Sequence, residues 1–68
     1  MNAFLFMPPW PKMPIGVPER EARAAWVKQY AAAILKENRG RLQLTPAQDE
    51  MELAMSMAEF TFREASNT

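Results

Sequence analysis

Downstream of position 50 the apolar residues recur with helical spacing on two sides rather than one. Met51, Ala54, Met55, Ala58 and Phe62 share one side, and Leu53, Met57 and Phe60 share the other. At about 100° per residue the two stripes lie roughly opposite each other. A short chain covers one such face easily. The second must bury against the N-terminal segment, a second copy of the chain or a foreign protein. Upstream, Ala22, Trp26, Val27, Tyr30, Ala33 and Ile34 also fall at helical spacing, and Ala31 and Leu35 widen that face.

These patterns predict two helices. The first spans 19–39, with Pro18 at its start, Glu19 and Glu21 complementing the N-terminal dipole, Lys36 and Arg39 in the last turn and Gly40 at C′. The second spans 46–65. Thr45-Pro46-Ala47-Gln48 reads as its capping box, with Asp49 and Glu50 in the first turn and residues 66–68 fraying. The connector Gly40-Arg41-Leu42-Gln43-Leu44 is short, so the helices should be antiparallel neighbours, with Leu42 and Leu44 plugging the end of the hairpin.

Residues 1–18 have a different pattern. Five of the six prolines stand there, at 8, 9, 11, 14 and 18. They fix φ and remove amide donors, so this segment is an extended arm. Phe4-Leu5-Phe6 is a candidate short strand. The arm also carries Met7, Trp10, Met13, Ile15 and Val17. Burying a large apolar side chain is worth ~1.5–3 kcal/mol, so much of the arm should pack on a helix surface. The expected fold is all-α: an antiparallel two-helix hairpin under a proline-rich arm, doubled into a homodimeric bundle.

Size explains the expectation of a dimer. A chain of 68 residues buries a modest fraction of its surface and needs support from outside its own core. It has no Cys and no His, which removes disulfides and imidazole or thiolate metal sites. Hydrophobic residues make up 49% of it, too many for a disordered chain. The start lacks a basic region and a small-residue cleavage site, so a secretory signal is not expected. No stretch reaches the roughly 18 apolar residues of a membrane span. A cytoplasmic location follows as an expectation.

Charges balance overall but not locally. Residues 19–41 hold six basic and three acidic side chains, a net of +3, and residues 45–68 hold one basic and five acidic, a net of −4. Helices of opposite sign can attract one another within a chain or between chains. The second helix would be the recognition helix of a helix-turn-helix, yet its acidity would repel phosphate, which argues against direct nucleic-acid binding. No nucleophile has a general base beside it, so no catalytic residue, cofactor or metal is expected. Asp49, Glu50 and Glu52 read as a dipole complement rather than a cation site. Two P-x-x-P patterns, at Pro8–Pro11 and Pro11–Pro14, could serve an SH3-type domain, but Trp10 and Met13 favour a packed strap.

What remains is binding. The side chains expected to anchor a partner or a dimer are Trp10, Trp26, Tyr30, Leu53, Met57, Phe60 and Phe62, since aromatic and adaptable Met groups dominate interfaces; core duty is an equal alternative for Trp26, Tyr30 and Phe62. The apolar lead followed by the hairpin of Glu19–Asn38 and Pro46–Ala65 resembles, in format, the quorum-sensing anti-activators. These are small, helical, phage-encoded host-takeover proteins. That resemblance implies a cytoplasmic homodimer that binds and disables a host regulatory protein such as a transcription activator, with a pilus-assembly ATPase as a further host target. A small transcription-modulating DNA-binding protein and a virion assembly subunit are the alternatives from other classes.

Overall fold

The computed structural model describes residues 6–42 and 49–67. Two helices follow in chain order, α1 over Glu19–Glu37 and α2 over Glu50–Ser66, and no strand occurs among the described residues. Arg23, near the start of α1, bonds Glu59, in the second half of α2. The two helices therefore form an antiparallel hairpin. Phe4 and Leu5 of the candidate strand lie outside the described residues, as do Leu44 and the Thr45–Gln48 capping box.

Each helix starts by a different device. Pro18 is the N-cap of α1 and uses no side chain; its carbonyl accepts the amide of Ala22 at 3.0 Å. Glu19 and Glu21 occupy the first turn. Asp49, expected inside the second helix, is extended and caps it: its carboxylate accepts the Glu52 amide at 2.7 Å. The helix thus opens at Glu50, four positions after the expected start. An Asp at N-cap satisfies an amide that the first turn leaves unpaired.

The first helix also stops two residues earlier than expected. Asn38 caps it, with its amide on the Ile34 carbonyl at 3.0 Å, and Arg41 closes the turn onto the Asn38 carbonyl at 2.9 Å. Arg39 therefore lies beyond the helix, and Gly40 stands at C″ rather than C′. Its φ of 78° suits a residue without Cβ. At the other end Ser66, expected to fray, is the last helical residue, and its hydroxyl donates to the Arg63 carbonyl.

Large side chains on α1 meet small ones on α2. Trp26, Val27, Tyr30, Ala31 and Ile34 pack against Ala54, Ala58 and Phe62. The alanines let the helices approach closely, so the bulk of the α1 ridge fills the space between them. Phe62 meets Trp26 edge-on at 5.6 Å between ring centroids, and Tyr30 lies 5.0 Å from Trp26. Met13, Leu35, Met55, Met57 and Ala65 close the margins.

The arm lies antiparallel along α1. The side chain of Asn38 takes the Phe6 amide on its oxygen at 2.6 Å and donates its nitrogen to the Phe6 carbonyl at 2.8 Å. The Tyr30 hydroxyl donates to the Pro8 carbonyl at 2.7 Å, and the Trp26 indole N–H to the Pro11 carbonyl at 3.0 Å. From Asn38 to Trp26 α1 advances about 18 Å at 1.5 Å per residue. The five steps from Phe6 to Pro11 cover about 16 Å at the polyproline rise. Only an extended arm matches that span, and the prolines impose extension. Gly16, with φ of 82°, then reverses the chain into α1.

Replacing Asn38 with Ala removes both bonds to Phe6 and one to Ile34 from a side chain that is 0% exposed. We expect a loss of about 1–3 kcal/mol in urea unfolding, with the helix content of the folded state unchanged.

Candidate protein-binding surfaces

The seven anchor residues separate into two groups. Trp26, Tyr30 and Phe62 are buried in the chain's own core, at 1%, 1% and 6% exposure. They are not offered to a partner. Of interface and core, they take the core: Trp26 and Tyr30 lie under the arm, and Phe62 packs against Trp26 from α2. Leu53 and Met57 are half-buried, and Met57 packs against the core. Phe60 is 65% exposed and Trp10 is 50% exposed, so these two remain on the surface.

The arm also changes how α2 is read. Its buried face is Ala54, Ala58, Thr61 and Phe62. Thr61 was not expected inside. Its hydroxyl donates to the Met57 carbonyl one turn back at 2.8 Å, so the polar group is satisfied within the helix. The first expected stripe thus supplies this inward face through Ala54, Ala58 and Phe62, with Met51 and Met55 at its margin, and the second stripe flanks it. Met57 and Leu53 lie on the arm side, and Met51 and Met55 lie on the side away from it.

Each flank borders a hollow. On the arm side, Met7, Ser56, Met57, Phe60 and Thr61 surround a shallow depression of about 310 Å³. Met7 and Phe60 are exposed at its edge. On the opposite side, a groove of about 620 Å³ runs between the helices. Ala24, Val27, Met51 and Met55 line its apolar part, and Arg20, Arg23, Lys28 and Glu59 its edges. Arg23 and Glu59 are joined across one end at 2.7 Å, with both side chains about half exposed. No other ion pair is formed among the described residues for Arg20 or Lys28.

The serine at the arm-side depression, Ser56, has no histidine to activate it, because the chain contains none. Burial pushes the Tyr30 phenol above its ordinary value of 10.0. No helix among the described residues is long and apolar enough to cross a membrane. No family model matches the chain, and no characterised protein or solved structure is significantly similar to it.

The Tyr30 bond gives a pH test. Its phenol must be protonated to donate to Pro8, and the folded state holds that proton more tightly than the unfolded chain. The unfolded chain releases the proton first as pH rises past 10.0, so stability should be intact below that value and fall above it. Tyr30 is the single tyrosine, so tyrosinate absorbance reports it directly. We expect its midpoint above 10.0 in the folded protein, and an alkaline stability loss that the Tyr30→Phe variant lacks.

Proposed function

We propose that this chain is a non-enzymatic protein-binding module, a small inhibitor or anti-activator that occupies the surface of a bacterial regulatory protein. One observation carries the reading: Phe60, a large aromatic side chain, stands 65% exposed in the middle of α2 beside a hollow edged by Met7 and Met57. Met7 of the arm reaches the edge of this hollow, and Phe60 is still left exposed. A projecting aromatic group next to adaptable methionines is the composition of an interface anchor. Trp10, half exposed on the arm, is a second anchor of the same kind.

The mechanism is steric. Phe60 seats in a pocket of the partner, the methionines adapt around it, and the body of the hairpin then blocks what that surface would otherwise engage. Charged residues around the contact choose the partner more than they hold it. A quorum-sensing transcription activator as the target, and the cytoplasm as the place of action, rest on the resemblance of format: a very small helical chain with an apolar lead and no catalytic groups.

The test compares the wild-type chain with Phe60→Glu and Trp10→Glu for capture of a purified quorum-sensing activator and for repression of its promoter in a reporter strain. Both side chains are exposed, so circular dichroism should be unchanged. Phe60→Glu should weaken capture about tenfold or more and relieve repression. Equal capture by wild type and both variants, or no capture by the wild type, would overturn the reading.

A further inference from the structure

We propose that the groove opposite the arm seats a second copy of this chain, related by a twofold axis parallel to the helices. This goes beyond the proposed partner, which engages the other face. The groove is apolar along its length and open, with Met51 still 49% exposed at one wall and Ala24 exposed at the other.

Charge selects the occupant. The α1 wall is basic, with Arg20, Arg23 and Lys28, while Glu59 lines the α2 wall and Glu52, two helical turns earlier, falls on the same side of that helix. Two twofold arrangements can lay one groove on another. An axis across the helices sets α1 against α1 and brings like charges together. An axis along the helices sets α1 of each copy against α2 of the other, antiparallel, in a four-helix square.

Register agrees with the second arrangement. Rotation about an axis along the helices keeps every residue at its own height. The Arg23–Glu59 pair fixes those heights. Five residues further along α1, Lys28 comes level with Ala54, which is about 3 Å along the axis from Glu52. Lys28 has no ion pair within its own chain among the described residues. Across the interface it faces Glu52 of the second copy, and the symmetry repeats the contact. Met55 interleaves over Ala24 and Val27 between these two charge pairs, and Met51 lies just beyond Lys28. The apolar contact holds the copies together, and the exposed charges set their arrangement.

Sedimentation equilibrium of the full chain tests this. The wild type should be a dimer at tens of micromolar, and Ala24→Glu, a change at an exposed helical site, should be a folded monomer by circular dichroism. Lys28→Glu and Glu52→Lys should each weaken self-association several-fold, and an equimolar mixture of the two should form heterodimers in preference to either homodimer. Phe60→Glu should remain dimeric. A monomeric wild type, an Ala24→Glu dimer as tight as the wild type, or a mixture with no heterodimer preference would overturn the proposal. So would a wild type that stays monomeric and takes up an added acidic amphipathic helix in the groove.

Discussion

Three side chains on one ridge of α1 hold a segment that has no regular structure of its own. Trp26, Tyr30 and Asn38 stand four and eight residues apart, and each directs a polar group at a carbonyl of the arm. Ile34 completes the ridge, and these four are the largest fully buried side chains among the described residues. An arm rich in proline is a poor partner for a strand, because each proline lacks the amide a ladder needs. Its carbonyls remain, and buried indole, phenol and amide donors need acceptors. The deficit on one side matches the surplus on the other. Among the described residues no buried side-chain nitrogen or oxygen is left without a partner.

The clamp governs the rest of the architecture. With the arm on one side of the α1–α2 seam, the hairpin becomes a three-layered unit with one side closed. The apolar surplus of α2 is thereby divided. Part of it, at Met57, is sheltered by the arm, and part is left as the two hollows. Prolines lower the entropy lost when the arm docks, so a few hydrogen bonds and the burial of Pro8 and Met13 suffice to hold it. Binding surfaces arise here as the residue of incomplete burial, which is the usual condition of a very short chain.

Much of this was legible in the residues. Helical spacing located both helices and the antiparallel hairpin, and the prolines marked an extended arm. Trp26, Val27, Tyr30 and Ile34 were correctly grouped on one face. Periodicity could not say which apolar groups face inward across the chain and which face a partner, because both look alike on a helical wheel. Trp26, Tyr30 and Phe62 stood between interface and core for that reason. The signal that could have separated them is polar: two of the three carry a donor, and only the arm offers carbonyls without competing amides. Asn38 read as an ordinary end-of-helix residue, since nothing local shows that its side chain reaches 32 positions back to Phe6. Thr61 was hidden by its hydroxyl, which the helix itself satisfies. The start of α2 was misplaced because Thr45 and Asp49 are both competent caps, and sequence alone does not rank them.

The docked arm is tested most directly by nuclear Overhauser contacts and exchange rates at the Trp26 indole N–H and the Asn38 side-chain amide. If α1 clamps the arm, both protons exchange slowly and show cross-peaks to Pro11 and Phe6 respectively. Rapid exchange at both sites, with no cross-peak to any arm residue, would contradict the account.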